Sequence, residues 1–223
     1  MCNTGCILPV PGYLEAMREL TAQRGIVLIY DEVITGFRLN LGGAQGHYGI
    51  RPDLSVFAKG LGGGFPVAAL GGRRDIMQLA ADGTVSIAGT YTANTIAVAA
   101  ALAALDELEA PGAYETLFRR CERLYGGLER LFHDAKLQAH VVGLGPVMQV
   151  WFSSQPIRNY RDAHRYASHA LFRQWWEGML ERGILFHPHA FENLFVSFAH
   201  SDADVDATLE AARGTISAMK SHA

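Results

Sequence analysis

The feature that most constrains the fold of this chain is an acidic pair that ends an apolar segment, followed further along by a lysine that begins a glycine-rich run. The apolar segment is Ile26–Tyr30, the acidic pair is Asp31 and Glu32, and the lysine is Lys59. A short run of β-branched and large apolar residues between turn signals predicts a strand buried on both faces. A second apolar segment, Leu54–Ala58, ends directly before the lysine. We therefore expect an α/β fold with both polar residues at the edge where open sheets bind ligands.

A carboxylate and an amine in one crevice fit the chemistry of pyridoxal phosphate, whose aldehyde reacts with a lysine and whose ring nitrogen takes an acidic partner. Lys59 would form the Schiff base and later move a proton as a free amine, which needs a lysine that can lose its charge. Asp31 would keep the ring nitrogen protonated. The glycines at 60, 62, 63 and 64 let the backbone bend and lie close to a cofactor.

Each of these residues taken alone has a simpler interpretation. An Asp-Glu pair at a strand end is commonly a solvated terminus or a helix cap, and a lysine beside glycines is commonly a surface residue. Their occurrence together in one short α/β segment favours the cofactor site. A nucleotide-binding loop is disfavoured, because P-loop glycines precede their lysine whereas Gly60 follows Lys59. No GxGxxG motif opens a helix after a strand either.

Beyond these residues, nearly the whole chain resembles the class III pyridoxal-phosphate-dependent aminotransferases. The segments that carry the resemblance are Asp31–Arg38, Leu41–Gly49, Pro52–Leu54, Lys59–Pro66 and Gly71–Met77. The Gly-Gly-Ala-Gln-Gly element and the Gly-Gly-Arg-Arg-Asp-Ile-Met run are similar to the glutamate-1-semialdehyde 2,1-aminomutase branch of that class. Phe191–Glu192 and Phe195–Asp202 match the C-terminal signature of the same branch.

The resemblance implies a role for five residues. Lys59 would be the Schiff-base lysine, Asp31 the partner of the pyridinium nitrogen, and Val33 a residue packed against the cofactor ring. Thr90 would reach the phosphate of a cofactor in the neighbouring subunit, a role that suits a hydroxyl just before a helix. Glu192 would be an acidic substrate-binding residue near the mouth of the active site.

Two of these assignments have an alternative. Thr90 can instead be an ordinary N-terminal cap of the alanine-rich helix that follows. Glu192 can be an exposed loop glutamate. The chain also departs from the family after the threonine, where Thr92–Thr95 stands in place of a Ser-Gly-Asn-Pro-like stretch. Without that proline, we expect the following helix to begin differently.

The implied fold is an α/β, fold-type I (aspartate aminotransferase-like) architecture. Residues 1–110 would be the C-terminal part of the cofactor-binding large domain, and residues 111–223 a small α+β domain. The opening Met1–Pro9 resembles the middle of a family member. The resemblance therefore implies that roughly the N-terminal half lies outside this chain, with the loop that cradles the phosphate and the aromatic residue that stacks on the ring.

The implied activity is amino-group transfer on a small amino or keto acid, by an aminotransferase (a transferase) or an aminomutase (an isomerase). In an aminomutase the amine shifts between adjacent carbons of one substrate, and in a transaminase it passes to a separate keto acid. The family's active sites lie at a dimer interface, so we expect a homodimer formed through the large domain. The rival interpretation is a non-catalytic fragment, or one half of a split enzyme, with an exposed sheet edge and apolar interface.

Composition argues against several other classes. The net charge is −3, which disfavours partners such as nucleic acid and anionic membranes. The apolar run from Ile96 to Leu105 is too short to span a bilayer. Three cysteines form no disulfide framework, so a reduced, cytoplasmic setting is expected. His187, His189 and His200 match no common ligand spacing, and we expect no metal.

Hydrophobic periodicity and turn residues predict the order of helices and strands along the chain. The predicted helices are Pro11–Arg24, Asn94–Glu109, Tyr114–Ala135, Ala163–Arg182 and Asp202–Lys220, the last capped by Ser201. The predicted strands are Ile26–Tyr30, Leu54–Ala58, Val67–Gly71, Ala139–Val142, Val147–Phe152, Ile184–Phe186 and Leu194–Phe198.

Overall fold

The computed structural model describes residues 2–220, and of Lys220 only the backbone. The chain divides into two compact units. The first unit is Val10–Tyr114, and the second unit joins Met1–Pro9 to Glu115–Ala223. The boundary predicted between residues 110 and 111 concerns the domains of an intact enzyme, and stays a prediction.

The first unit is built on a three-stranded mixed sheet. Its elements are α1 (Tyr13–Gln23), β1 (Ile29–Glu32), α2 (Gly43–Tyr48), β2 (Leu54–Phe57), a 3-10 helix (Lys59–Gly62), β3 (Ala69–Gly72), α3 (Arg74–Ala81) and α4 (Thr95–Leu108). The sheet order is β1-β2-β3, with β1 parallel to β2 and β2 antiparallel to β3. The predicted strands and long helices of this unit are confirmed within a few residues.

The starts of β1 and β2 are held together by the buried carboxylate of Asp53. Its Oδ2 accepts hydrogen bonds from the backbone amide of Leu28 at 2.8 Å and from Arg18 at 2.9 Å. Its Oδ1 accepts from Arg73 at 3.0 Å, directly after β3. The amide and then the two guanidinium groups lower the pKa of Asp53 to about 2, because they favour the ionised carboxylate. One ionised side chain therefore ties α1 and all three strands together at the end of the sheet remote from Asp31.

The prediction that the strand around Ile26–Tyr30 is buried on both faces is wrong for the described chain. Ile26, Val27 and Ile29 are each about half exposed, at 53%, 46% and 55%. The reason is that β1 is an edge strand: within residues 2–220 it pairs only with β2. Local sequence fixes the apolar character of a strand, whereas its burial depends on neighbours.

The second unit contains a three-stranded antiparallel sheet packed against long helices. Its elements are α5 (Ala113–Asp134, whose first two residues belong to the first unit), β4 (Ala139–Leu144), β5 (Val147–Phe152), α6 (Tyr160–Tyr166), α7 (His169–Glu181), β6 (Leu194–Phe195) and α8 (Asp202–Lys220). The sheet order is β4-β5-β6, and every residue of β5 is buried. The large core side chains are Phe132, Phe152, Phe172, Trp175 and Met179. Leucines and aromatics at helical spacing on α5 and α7 supply this core, as the periodicity predicts.

Residues 2–9 pack on the second unit rather than on the first. The indole nitrogen of Trp151 donates to the carbonyl oxygen of Gly5 at 3.1 Å, and the amide of Asn3 donates to Asn193 Oδ1 at 3.0 Å. Gly5 has φ +79°, and a Cβ there would overlap the Trp151 ring. Only glycine therefore lets the backbone pass this closely over the indole.

Among the predicted elements of the second unit, one strand is wrong, and one helix and one other strand are wrong in part. The helix predicted over Ala163–Arg182 is two helices, because Ser168 Oγ accepts the Leu171 amide at 3.3 Å and starts α7 afresh. Ile184–Phe186 forms no strand, and Leu194–Phe198 contributes only the two residues of β6. The predicted helix Asp202–Lys220 and its cap are confirmed, with Ser201 Oγ accepting from Asp204 N at 3.2 Å. Among the residues that the structure describes, no helix has the length and apolarity needed to span a membrane.

Candidate active site

The parallel pairing of β1 with β2 brings Asp31 and Lys59 to one edge of the first unit's sheet. Asp31 is paired with Val56, and Glu32 with Phe57. Lys59 follows the last residue of β2 by two positions. Because parallel strands end at the same edge, the carboxylate and the amine are presented together at that edge. Both side chains belong to exposed residues.

Lys59 has an unusual backbone conformation. Its φ is +43°, in the left-handed region that residues with a Cβ rarely adopt, and it begins the 3-10 helix Lys59–Gly62. Holding a non-glycine residue there costs about 1–3 kcal/mol, and such residues cluster at functional sites. The chain therefore keeps a lysine at a position where folding alone would favour glycine.

Asp31 is the third residue of β1, and Val33 begins the tight turn that follows the strand. Asp31 Oδ1 accepts a hydrogen bond from the backbone amide of Val33 at 3.0 Å. The amide of Gly36 donates to the carbonyl oxygen of Glu32 at 2.8 Å and closes the turn. The carboxylate of Asp31 is thus oriented by the backbone of the turn that also carries Val33.

Glu32, which the sequence did not single out as functional, is completely buried. Its Oε2 accepts from the backbone amide of Ala44 at 2.9 Å and from the Thr35 hydroxyl. Its Oε1 accepts from the Gln45 amide at 2.8 Å. The sequence around Glu32 does not indicate that its side chain is buried. Its partners reach it only because residues 42–45 fold back onto the end of β1. Gly43, with φ +65°, permits this, since a Cβ there would lie 2.6 Å from Glu32 Oε2.

The turn after β1 and the 3-10 helix after β2 approach each other through glycines. A Cβ on Gly60 would lie 3.2 Å from the carbonyl oxygen of Gly36. A Cβ on Gly36 would lie 2.7 Å from both the Glu32 carbonyl oxygen and the Phe57 ring. The backbones of the turn after β1 and of the 3-10 helix therefore lie close together, with little space for a side chain between them.

Thr90 lies in an exposed turn five residues before α4. The interpretation of Thr90 as the cap of this helix is wrong, because Asn94 Oδ1 accepts the Ala97 amide at 3.1 Å and is the cap. Ala93, with φ +57°, makes the bend that leads into it. Helix α4 packs against the 3-10 helix that carries Lys59, with Ala104 beside Gly63. The structure therefore places Thr90 in the same unit as the lysine, on the segment leading into a helix that contacts the lysine's turn.

Glu192 belongs to the second unit, whereas the other four predicted site residues belong to the first. It is half-buried, and its carbonyl oxygen accepts a hydrogen bond from Gln149 Nε2 at 2.7 Å. The structure thus fixes the backbone of Glu192 through β5. Its assignment to substrate stays a prediction.

The side chains at the sheet edge suit two of the groups of pyridoxal phosphate. A lysine amine matches the aldehyde, and a carboxylate oriented by a backbone amide matches the protonated ring nitrogen. The exposed hydroxyl of Thr90 is a donor suited to phosphate. Within residues 2–220, no cluster of histidine, cysteine and acidic side chains is arranged to hold a metal ion. His187 and His200 instead accept hydrogen bonds from nearby backbone amides, at 3.1 and 3.0 Å.

Comparison with known proteins identifies the family to which this chain belongs. Residues 1–216 match the family "Aminotransferase class-III". The glutamate-1-semialdehyde 2,1-aminomutase of Desulforudis audaxviator is 44% identical over 94% of this chain and 48% of that protein. The β-phenylalanine aminotransferase structure from Variovorax paradoxus is 31% identical with a TM-score of 0.89, over 98% of this chain and 50% of that one.

A glutamate-1-semialdehyde aminomutase from Pseudomonas aeruginosa, solved in complex with PMP, is 25% identical with a TM-score of 0.86. The alignment covers 97% of this chain and 50% of that one. The chain thus spans about half the length of the curated relatives it matches, at 48–52% of the most similar ones. On the match across residues 1–216, this chain belongs to the class III aminotransferase family.

Proposed function

We propose that this chain carries the lysine and the aspartate of a pyridoxal-phosphate-dependent enzyme that moves amino groups, with glutamate-1-semialdehyde aminomutase as the favoured activity of the whole enzyme. Family membership implies the cofactor. The observation that carries the proposal is the parallel β1–β2 pair, which presents Asp31 and Lys59 at one sheet edge. The left-handed backbone of Lys59 supports it, because strained residues with a Cβ cluster at functional sites.

Each residue has a definite task in this proposal. When bound, the cofactor supplies an electron-withdrawing ring that stabilises negative charge on the substrate carbon. Lys59 Nζ would hold the aldehyde and, as a free amine, would take a proton from one substrate carbon and deliver it to another. Asp31 keeps the ring nitrogen protonated through its negative charge. Val33 would pack against the ring, and Thr90 would donate a hydrogen bond to the phosphate of the cofactor in the partner subunit.

The aminomutase is favoured over a transaminase by the names of the relatives that share most identity. Those at 42–46% identity carry the name glutamate-1-semialdehyde 2,1-aminomutase. The solved structures include both aminomutases and transaminases at 25–31% identity, and do not separate the two. The discriminating assay is isomerisation of glutamate 1-semialdehyde, compared with amino transfer between an amino acid and a keto acid. Transfer without isomerisation would assign the chain to the transaminases.

The first test is covalent capture of the cofactor on Lys59. We expect purified protein with added pyridoxal phosphate to show a visible absorbance band, and borohydride followed by peptide mapping to place the label on Lys59. Lys59→Ala should lose the band, whereas Lys136→Asn, at an exposed lysine with φ +57°, should keep it. A label on Lys136 or the terminal amine alone would contradict the assignment.

The role of Asp31 predicts a different outcome for Asp31→Asn. Asparagine keeps an oxygen that can accept the Val33 amide but loses the negative charge. We expect this variant to keep the visible band and to lose most turnover in an active assembly. Full turnover would mean that another group protonates the ring.

The proposal extends to assembly and setting. A homodimer formed through the large domain would let Thr90 act across the interface. A cytoplasmic location is also part of the proposal. Thr90→Val removes only the hydroxyl, and we expect it to weaken cofactor affinity in the dimer but not in a monomer. Sedimentation of the protein at several concentrations provides the matching oligomeric state.

A second candidate function is one half of a two-part enzyme, inactive alone. The observation that favours it is the apolar surface of the first unit. On α4, Ile96 is 67% exposed and Leu102 59%, although a helix on the surface of a soluble protein ordinarily turns such residues inward. Together with the exposed residues of β1, they leave an uncovered apolar surface on the unit that carries the proposed site.

The two candidates are separated by measuring pyridoxal phosphate binding to the chain alone and to the chain mixed with the N-terminal half of the Desulforudis audaxviator relative. A Lys59-dependent band with the chain alone supports a self-sufficient cofactor site. A band that requires the added half supports the two-part enzyme.

A further inference from the structure

We propose that Glu32 is a positioning residue for Asp31: its buried carboxylate holds the turn whose Val33 amide orients the Asp31 side chain. This inference rests on the proposed function of Asp31. It assigns a role to Glu32, whereas the chemistry expected at this site assigns one only to its neighbour Asp31.

The first step is the opposite placement of the two carboxylates. Asp31 and Glu32 are consecutive in β1, so their side chains point to opposite faces of the strand. Asp31 is exposed, whereas Glu32 has no exposed surface at all. A fully buried carboxylate is costly unless it is well bonded, so its presence indicates a specific task.

The second step is the set of partners that hold Glu32. It accepts hydrogen bonds from the backbone amides of Ala44 and Gln45, from the Thr35 hydroxyl, and more weakly from Gln45 Nε2 at 3.5 Å. Among the described residues no lysine or arginine forms an ion pair with Glu32, so its hydrogen-bond donors are all neutral groups. These donors come from two segments, the turn after β1 and the start of α2.

The third step connects these bonds to Asp31. Thr35 lies in the same turn as Val33, whose amide donates to Asp31 Oδ1 at 3.0 Å. The Glu32 carbonyl oxygen closes this turn by accepting the Gly36 amide at 2.8 Å. Glu32 therefore holds the turn from both its side chain and its backbone. If the side-chain bonds are lost, the Val33 amide should no longer be fixed against Asp31.

Gly43 gives independent support for this arrangement. It has a left-handed φ of +65°, and a Cβ at this position would lie only 2.6 Å from Glu32 Oε2, so there is no space for a side chain. The start of α2 is thus shaped around the buried carboxylate. Gln45 extends the contact, since its Nε2 also donates to Ser55 Oγ on β2 at 3.1 Å.

The test compares Glu32→Gln with Glu107→Gln, a matched change at an exposed residue of the same unit. The amide exchange rate of Val33 is measured first, without cofactor. We expect Glu32→Gln to raise this rate about tenfold. The NH2 group of glutamine cannot accept a hydrogen bond, so one of the backbone amides that donate to Glu32 would lose its acceptor. Glu107→Gln should leave it unchanged. Thr35→Val, which removes only one hydroxyl, gives a milder variant and should raise the rate in the same direction. Unchanged Val33 exchange in a folded Glu32→Gln or Thr35→Val protein would overturn the proposal.

A double-mutant cycle then tests whether the effect passes through Asp31. Glu32→Gln should raise the Kd for pyridoxal phosphate about tenfold in the wild-type background, and much less in an Asp31→Asn background. Equal effects in both backgrounds would overturn the proposal. If the wild-type protein binds no cofactor at all, alone or with the added N-terminal half, the proposed function fails, while the Val33 exchange rate still decides the role of Glu32 in the turn.

Discussion

The buried amide of Gln149 provides a quantitative test of how the second unit is held together. Gln149 lies in the central strand β5, and its polar side chain has no exposed surface. Nε2 donates to the carbonyl oxygens of Ala190 and of Glu192, the latter at 2.7 Å, and Oε1 accepts the Val150 amide at 2.9 Å. Gln149 thereby fixes to the sheet the loop that carries Glu192.

Gln149→Met removes these hydrogen bonds while nearly preserving length and volume. Three bonds at about 1 kcal/mol each predict that the free energy of unfolding falls by about 3 kcal/mol. Cavity terms are small, because methionine fills the space. With a urea m-value of about 2 kcal/mol/M, the unfolding midpoint should fall by about 1.5 M.

The assay is urea unfolding followed by tryptophan fluorescence. Trp151, Trp175 and Trp176 all belong to the second unit, and the first two are fully buried, so the signal reports this unit alone. Gln138→Met, at an exposed glutamine, is the control and should change stability by less than about 0.5 kcal/mol. A Gln149→Met midpoint within about 0.25 M of the wild type would refute the reasoning, since that shift is about 0.5 kcal/mol at the same m-value.

Two further predictions concern the sheet of the first unit. Gly72→Ala should destabilise this unit by about 1–3 kcal/mol, because the new Cβ would overlap the Asp53 carbonyl oxygen and lie 2.9 Å from Leu54 Cα. Gly71→Ala is the control and should be near neutral, because a Cβ there would have nothing within 4 Å. Equal thermal midpoints of the two variants, measured by circular dichroism, would contradict this prediction. Asp53→Asn should lower the melting temperature at pH 7. Because the folded pKa of Asp53 is lowered to about 2, its stabilising effect is complete above the unfolded value near 4. The effect is lost as the pH falls toward 2, so the difference between wild type and variant should shrink over that range; a constant difference would argue against the carboxylate as its source.

The sequence was sufficient to predict the placement of Asp31 and Lys59 at one sheet edge. Two apolar segments that each end at a polar residue are strong local signals, and the parallel pairing of β1 and β2 follows the ordinary rules of α/β folds. Capping is equally local, which is why Ser201 was predictable as the start of α8. The roles of the site residues in catalysis stay predictions until they are measured.

The features that the sequence did not predict depend on contacts between distant residues. The Ile184–Phe186 segment has strand-forming composition. However, the Phe186 carbonyl oxygen accepts a hydrogen bond from Trp176 Nε1 at 2.9 Å, and the Phe186 ring packs on Trp175. These side-chain contacts take the place of a strand ladder. The burial of Glu32 was equally hidden, because its partners Ala44 and Gln45 come twelve and thirteen positions later.

The left-handed backbone at Lys59 has a consequence for how this gene changes over time. A side chain at φ +43° is strained, and glycine at this position would relieve the strain. A copy released from selection for chemistry would therefore lose no stability by drifting to glycine at this position. Lys59→Gly is therefore the substitution that separates folding from chemistry: we expect it to keep the stability of the first unit and to remove the amine.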